Sequence, residues 1–383
     1  MSKNLASSAP ASPRVCMVSL RGSNSHAAWC SNYEFEDVIC DIDDVDMFSP
    51  KPGPAYELRR RIARSMIWKP GLKHIVPHFN PGLQRIGIEK DYDLFVFICM
   101  GPADLIYLSA VDGWKDRCRK KICFMVEFYA GWAKEYAYHL SLLRDFDQVV
   151  QCFSGSVASV QEAVGKPCHH VPLGADVFRF TPYPNPPART IDVYSMGRRS
   201  EVVHNSLLKK SANRELFYIY DTIPGLLVQP KDHRQHRDLV ANCAKRSRFF
   251  AAYPAKVDVA EETRGQSEVG ARFYEGAATG ALLLGQAPTI PAFAKEFPWA
   301  DAVVDAGKTE ADLDAVLMTF RNDHARYARA SRQNATHALR HFDWAYRWQQ
   351  MLDIVGLKPS PKLLERTQRL HTLATSAEKA AAA

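Results

Sequence analysis

Short apolar runs alternate with longer amphipathic stretches along the first half of the chain. The apolar runs fall at residues 15–20, 37–40, 94–100, 122–126, 148–152 and 170–172. Uninterrupted runs such as LFVFICM, at 94–100, are what strands need when helices cover both faces of their sheet. The pattern therefore predicts a parallel sheet with helical crossovers.

A proline-rich segment at 176–189, which contains TPYPNPP, separates this half from a second one of the same kind. Beyond it we predict strands at 190–196, 216–220, 225–228, 249–252 and 281–284, and helices at 237–247 and 269–279. A chain of 383 residues also exceeds what one core covers, since cores stop growing near roughly 250–300 residues. We therefore predict an α/β protein with two Rossmann-like, doubly wound parallel-sheet domains that face each other across a cleft.

The expected boundaries follow from these patterns. A lead-in at 1–13 and an Ala-rich tail at 376–383 are expected to be disordered. The first domain is expected at 14–175, the linker at 176–189, the second domain at 190–340 and C-terminal helices at 341–375.

Composition narrows the class of protein. Apolar residues make up 46% and charged residues 24%, which is normal for a globular chain, and a net charge of +7 selects no partner by itself. Nine scattered cysteines without a CxxC pair favour a reducing compartment. The sequence shows neither a signal peptide nor a run of the roughly 20 apolar residues that span a bilayer. We therefore expect a cytoplasmic protein.

Candidate ligand-binding residues lie in loops that follow strands, where open α/β sheets bind their ligands. The predicted strand at 190–196 leads into Gly197, Arg198 and Arg199. Glycine permits close backbone approach, and arginine offers a charged fork that matches phosphate oxygens. The alternative is a solvated turn whose arginines pair with local acids.

Glu275 lies in a helix of small, mostly apolar residues, where an unpaired carboxylate would be costly to bury. It could accept hydrogen bonds from two ribose hydroxyls. Arg272, one turn earlier, could neutralise a phosphate or pair with Glu275 itself. An internal Arg–Glu pair is the alternative to a ligand site.

The first domain offers three candidates for a general base: His26, Asp104 and Glu127, each after a predicted strand. His26 could equally be a solvated loop residue, and Asp104 could equally cap the helix that follows it. Glu127 has the best position because it directly ends a buried strand. We expect no metal site, since adjacent His169 and His170 point to opposite faces of an extended segment.

Four segments of the chain resemble parts of a known family. RFYEGAATGALLLG, residues 272–285, resembles the nucleotide-sugar-binding segment of the group 1 C-terminal domain of GT-B glycosyltransferases, in particular the CgeB-like, spore-maturation branch. HVPLGADVFRFTP, at 170–182, is similar to the phrase that enters this domain, and IDVYSMGRR, at 191–199, resembles its first strand and phosphate loop. Residues 341–344 resemble the helix that leads the chain back to the N-terminal domain.

The resemblance implies a glycosyltransferase that moves a sugar from a nucleotide diphosphate donor to an acceptor glycan, lipid or other small molecule. It implies no cofactor, no metal and no nucleic-acid partner. Glu275 would bind the donor ribose and Arg198 the diphosphate. The complete expected donor site is Gly197, Arg198, Arg199, His204, Arg272, Glu275 and Gly280.

Two positions depart from the family pattern. Ser267 stands where retaining members often carry a second glutamate, with Glu268 one residue out of register, and His204 stands where a lysine is common. Two alternative functions therefore stay open: a nucleotide-sugar epimerase of the same fold, and a non-catalytic nucleotide- or sugar-binding protein.

A basic helix is predicted in the first domain, with Leu58, Ile62 and Met66 on one stripe. Its arginines are Arg59, Arg60, Arg61 and Arg64. Such a helix could make peripheral contact with anionic lipid at the inner face of the membrane. A solvated helix face is the alternative.

Overall fold

The first half of the chain forms a six-stranded parallel sheet flanked by helices. The computed structural model describes residues 13–67, 69, 71–72, 74–222 and 229–379. The first eight strands are β1 Val15–Val18, β2 Val45–Phe48, β3 Ile86–Gly87, β4 Tyr92–Cys99, β5 Val111–Asp112, β6 Cys118–Met125, β7 Gln148–Gln151 and β8 Cys168–His170. The large sheet has the order β2-β1-β4-β6-β7-β8, while β3 and β5 form a separate parallel pair.

The helices of this half cover both faces of the large sheet. They are α1 Cys30–Ile42, α2 Tyr56–Ile67, α3 Trp114–Arg117, α4 Ala137–Leu140 and α5 Val157–Val164. Short 3-10 helices occur at Ala27–Trp29, Val76–His78, Pro102–Ala110, Ala130–Trp132, Ser141–Asp145 and Ser154–Ser156. Strand β4 is buried along nearly its whole length, as expected for the centre of a sheet covered on both sides.

The second half repeats the architecture with a five-stranded parallel sheet. Its strands are β9 Ile191–Ser195, β10 Tyr218–Tyr220, β11 Ser247–Ala252, β12 Leu282–Gly285 and β13 Val303–Asp305, in the order β10-β9-β11-β12-β13. The helices are α6 Val177–Phe180, α7 Glu201–Ala212, α8 His233–Lys245, α9 Ala260–Thr263, α10 Ala271–Ala278, α11 Pro291–Glu296, α12 Glu310–Asn322, α13 His324–His341, α14 Trp344–Val355 and α15 Pro361–Lys379.

The last helices return to the first domain. Trp344 of α14 stacks on Phe35 of α1 with ring centroids 4.5 Å apart, and Trp348 donates a 2.9 Å hydrogen bond to Asp43. A single hydrophobic core runs from Phe35 and its neighbours through α14 to Phe250 and Ala277 of the second domain. The two domains therefore share buried apolar packing.

The strand predicted at 37–40 is wrong, because these residues lie within helix α1. Phe35, Val38, Ile39 and Ile42 are buried at helical spacing, so the short apolar run was one face of a helix. Strand β2, which pairs with β1, was not predicted.

One prediction for the ends of the chain is corrected, and two other predictions fall on residues that the structure does not describe. Helix α15 extends to Lys379, so the tail expected to be disordered from residue 376 is helical at 376–379. The lead-in at 1–12 and the strand expected at 225–228 lie outside the described residues.

The basic helix α2 is only partly amphipathic. Leu58 and Ile62 are exposed, whereas Met66 is buried. The guanidinium of Arg59 lies 5.0 Å from the centre of the Phe79 ring, and Arg60 pairs with Glu57 at 2.9 Å. The side chain of Arg64 lies outside the described part. Within that part, no helix combines the length and hydrophobicity needed to cross a bilayer.

Candidate functional site

The loop after β9 forms a tight turn that leads directly into helix α7. Gly197 adopts a φ of 84°, a conformation that favours glycine. Its backbone N–H donates to Asp221 at 3.0 Å, and Ser200 caps the first turn of α7 by accepting from the N–H of Val203. The positive end of the α7 dipole therefore faces this loop, which is the arrangement that binds phosphate in many α/β proteins.

The two arginines of this loop have different surroundings. Arg198 pairs with Asp258 at 2.6 Å, and the two side chains are 39% and 44% exposed. An ion pair this exposed contributes about 0–1 kcal/mol, so Arg198 can exchange Asp258 for a ligand at little cost. Arg199 is held more firmly, because it donates to both the backbone oxygen and the carboxylate of Asp221 at 2.8 Å.

Arg272 lies against the same turn from helix α10. Its Nε donates to the backbone oxygen of Met196 at 3.0 Å, and its guanidinium is the nearest group to the side of Gly197 where a Cβ would stand. The guanidinium also pairs with Glu275, one turn further along the helix. Arg272 and Gly197 were predicted to share one site, and they are neighbours in the structure.

Glu275 is fully buried between two arginines. Arg272 contacts one carboxylate oxygen, and Arg237 of α8 donates to the other at 2.5 Å. Burial alone would raise the pKa of Glu275, but Arg237 and Arg272 outweigh it and lower this pKa to about 2. Glu275 is 0% exposed, so the internal ion pair that the sequence left as an alternative is the arrangement observed.

The pairing continues into the first domain. Arg237 donates two further hydrogen bonds to Glu34 of α1, at 2.8 Å and 3.1 Å. The indole N–H of Trp344 donates to the same carboxylate at 3.1 Å. A buried chain of charges, Glu34–Arg237–Glu275–Arg272, thus links helix α1 to the loop at Gly197.

Glu127 lies where the sequence predicted, at the carboxyl end of β6 facing the second domain. Its carboxylate pairs with Lys256, which lies in the segment after β11, at 2.6 Å. Lys256 also pairs with Glu262 at 2.8 Å. As a general base, Glu127 would first have to release this lysine.

Further contacts close the boundary between the domains beside Glu127. Glu268 accepts hydrogen bonds from the backbone N–H groups of Ser154 and Gly155, at 3.1 Å and 2.9 Å. Gln266 accepts from the N–H of Ala130 at 2.8 Å. Glu268 is the glutamate that lies one residue out of register with the family pattern. Its side chain therefore binds backbone N–H groups of the first domain.

The other two base candidates have local structural roles. Asp104 is buried and accepts from the N–H of Met100 at 2.8 Å and of Gly101 at 3.4 Å, so it caps the 3-10 helix that follows β4. His26 caps the helical turn Ala27–Trp29, since its Nδ1 accepts from the N–H of Ala28 at 3.1 Å. The structure therefore gives both residues a capping function.

Two further expected donor-site residues, His204 and Gly280, differ in their surroundings. The imidazole of His204, in the first turn of α7, hydrogen bonds to the hydroxyl of Tyr218 at 2.9 Å. Burial and then Arg199 lower the pKa of His204, which disfavours its charged form. Gly280 lies before β12, at the opposite edge of the sheet from Gly197. A Cβ there would lie 2.9 Å from the backbone oxygen of Ser331, so Gly280 permits close packing of α13, and its assignment to the donor site is corrected.

Three residues of this region were not predicted from the sequence: Asp221, Arg237 and Lys256. Asp221 directly follows a predicted strand, and this position could have indicated a place in the ligand site. Arg237 and Lys256 gave none, because their carboxylate partners Glu34 and Glu127 lie in the other domain.

Comparison with solved structures identifies the architecture. An α-glucosyltransferase in complex with UDP and a 13-mer DNA containing an HMU base superposes with a TM-score of 0.53 and 11% identity, covering 90% of this chain and 99% of that one. The same enzyme in another crystal, at 1.9 Å resolution, gives a TM-score of 0.51. The chain has the GT-B fold.

This fold confirms the predicted α/β class and the pair of parallel-sheet domains. HepE of Anabaena, in complex with UDP-glucose, superposes with a TM-score of 0.49 and 12% identity over 89% of this chain and 99% of that one. No protein family profile and no curated protein matches the sequence.

Proposed function

We propose that the protein transfers a sugar from a nucleotide diphosphate donor to an acceptor bound between its two domains. The observation that carries this proposal is the Gly197 turn, which lies at the start of α7 with Arg198 and Arg272 beside it, at the carboxyl edge of the second sheet. In open α/β sheets, ligands bind at this edge. The resemblance of residues 272–285 to the CgeB-like branch supports the same function.

The chemistry of the loop suits a leaving diphosphate. When the bond from the sugar to the diphosphate breaks, negative charge develops on the phosphate oxygens. Arg198, Arg272 and the N-terminus of α7 are positive groups already in place, so they stabilise that charge with little reorganisation. Arg198 gives up only a half-exposed ion pair in the process.

Glu275 has a positioning role in this proposal. Its carboxylate, which is held by Arg237, pairs with Arg272 and so fixes Arg272 against the backbone of Met196, next to the turn. Direct binding of a ribose by Glu275 would require Arg237 or Arg272 to release the carboxylate, and Arg237 is also held by Glu34 of α1.

The acceptor is a glycan, a lipid or another small molecule in this proposal, and the protein is cytoplasmic. If the acceptor is a lipid, helix α2 is the surface that would meet the inner face of the membrane. Exposed Leu58 and Ile62 lie there beside exposed Arg59 and Arg61.

Calorimetry with UDP, ADP, GDP and CDP tests the donor site, with uridine as the control that lacks phosphate. UDP comes first because it occupies the α-glucosyltransferase of the same fold. We expect at least one diphosphate to bind and its sugar to be transferred to an added acceptor. If none of the four diphosphates binds, the proposal is wrong. Turnover that needs no acceptor would instead favour an epimerase, and binding without turnover a non-catalytic protein.

A further inference from the structure

We propose that Lys256 supplies a second mobile cation for the donor phosphates and leaves Glu127 to do so. This inference rests on the proposed function, because it concerns the same donor site. It adds Lys256 to the donor site, a residue that lies outside both the family motif and the loop after β9. Glu127 and Lys256 then form a pair that the donor breaks.

Lys256 lies on the same side of the second sheet as Arg198. Strands β9 and β11 are parallel neighbours, so the segments that follow them emerge at one edge. Asp258, two residues after Lys256, is the partner of Arg198 at 2.6 Å. A turn joins these positions, since the N–H of Val259 donates to the backbone oxygen of Lys256 at 3.0 Å.

Tyr129 of the first domain packs against Lys256. The ammonium of Lys256 lies 5.7 Å from the centre of its ring. Burial raises the pKa of the Tyr129 hydroxyl, and Arg198 is close enough to oppose that rise. Lys256 therefore packs on an aromatic side chain of the first domain, and its loop also reaches Arg198 through Asp258.

Two carboxylates and an aromatic ring surround the ammonium of Lys256. Its side chain is 16% exposed and lies between Glu127 and Glu262, and the ammonium is 4.7 Å from the centre of the Trp132 ring. An ammonium has three N–H donors, and these carboxylates account for two of them. The backbone at Lys256 has a φ of 56°, a conformation that is unfavourable for a residue with a Cβ.

A diphosphate competes well for this lysine. It carries more charge than a carboxylate, and its contacts with Arg198 fix its position before Lys256 joins. In this proposal, Lys256 turns from Glu127 to the phosphate by rotation about its side-chain bonds. Removing Glu127 should therefore strengthen phosphate binding, whereas an ion pair that only held the domains together would have the opposite effect.

The experiment compares UDP and UMP affinities of Lys256→Gln, Lys256→Arg, Glu127→Gln and the double variant, or the corresponding nucleotides if another base binds. We expect Lys256→Gln to weaken UDP about tenfold, the effect of one charge-assisted contact, and UMP much less. Lys256→Arg should restore most of the loss. Glu127→Gln should tighten UDP in the native background and leave it unchanged in Lys256→Gln.

Lys209→Gln is the matched control, since Lys209 forms an exposed lysine–glutamate pair with Glu310 on another face of the same domain. It should bind UDP like the native protein. Native affinity in Lys256→Gln would overturn the inference and leave the proposed function standing. Equal weakening of UDP and UMP, or weaker binding in Glu127→Gln, would show a structural ion pair and also overturn it. If the native protein binds no nucleoside diphosphate, the proposed function fails and this inference fails with it.

Discussion

Glu34 of helix α1 accepts two hydrogen bonds from the guanidinium of Arg237 in helix α8, at 2.8 Å and 3.1 Å, and so joins the two domains inside their shared core. Both side chains are buried. A buried ion pair adds little stability compared with apolar packing of the same volume, because both charges lose their hydration. Removing one partner is different, since it leaves the other charge buried and unpaired.

This difference predicts a large effect at Glu275. Glu275→Gln leaves Arg237 and Arg272 with one carboxylate fewer, so we expect the free energy of unfolding to fall by about 3–5 kcal/mol. Denaturant titration measures it. The control is Glu310→Gln, which breaks the exposed pair with Lys209 and should cost about 1 kcal/mol or less. Equal losses in the two variants would contradict a stabilising role for the buried chain of charges.

The sequence predicted only part of the chain of charges Glu34–Arg237–Glu275–Arg272, namely its Arg272–Glu275 pair. Arg272 and Glu275 are three residues apart on one helix, so local spacing was enough to propose that they pair. Arg237 lies 38 residues before Glu275, and Glu34 lies 203 residues before Arg237. No local pattern links such positions, because only the docking of one domain on the other brings them together.

In the fold, too, features with a clear local pattern were predictable and the others were not. Buried strands such as β4 and β12 were recognisable because continuous apolar runs are their signature. The run at 37–40 was misassigned because four residues cannot distinguish a strand from the apolar face of a helix. Lys256 could not have been predicted, since its importance comes from Glu127 in the other domain and from a loop conformation that sequence does not specify.

The strongest prediction for ligand binding concerns Arg198. Arg198→Ala should weaken nucleoside diphosphate binding by about tenfold to a hundredfold, because a charge-assisted hydrogen bond contributes about 1.5–3 kcal/mol. Added salt should weaken binding to the native protein more than to the variant.

Arg326→Ala is the matched control for this experiment. The Arg326 side chain is 39% exposed, like that of Arg198, and it also pairs with an aspartate, Asp301. Calorimetry should show native affinity for this variant. If Arg198→Ala also keeps native affinity, the diphosphate does not bind at the Gly197 turn.

Glu36 should make stability depend on pH. Burial raises the pKa of Glu36 to about 7, although Arg21 and Ser19 favour its charged form. Between about pH 4.5 and 7 the unfolded chain has lost a proton that the folded chain keeps, so the free energy of unfolding from this group falls as pH rises, by about 1.4 kcal/mol per pH unit.

Glu36→Gln removes this dependence, because glutamine does not titrate. Relative to the native protein, the variant should gain roughly 2–3 kcal/mol of stability between pH 5 and pH 8. Denaturant titrations at the two pH values provide the measurement, with the exposed Glu57→Gln as control. A difference between native and Glu36→Gln that stays constant with pH would contradict the prediction.

The last prediction concerns domain motion. Donor binding in a two-domain enzyme can close an open cleft, but here the domains are already joined without a ligand. Asp37 of α1 accepts hydrogen bonds from His233 at 2.8 Å and from Arg234 at 2.9 Å, beside the Glu34–Arg237 pair, and the apolar core is continuous behind them. Opening would expose both the charges and the core. We therefore expect small-angle scattering of the native protein to give nearly the same radius of gyration with and without saturating nucleotide sugar, near the ~21 Å of a compact chain of this length. The variant Glu34→Gln with Asp37→Asn should give a larger radius that the ligand reduces. A clear decrease in the native radius on adding donor and acceptor would show that the α1–α8 contact opens and closes during the reaction.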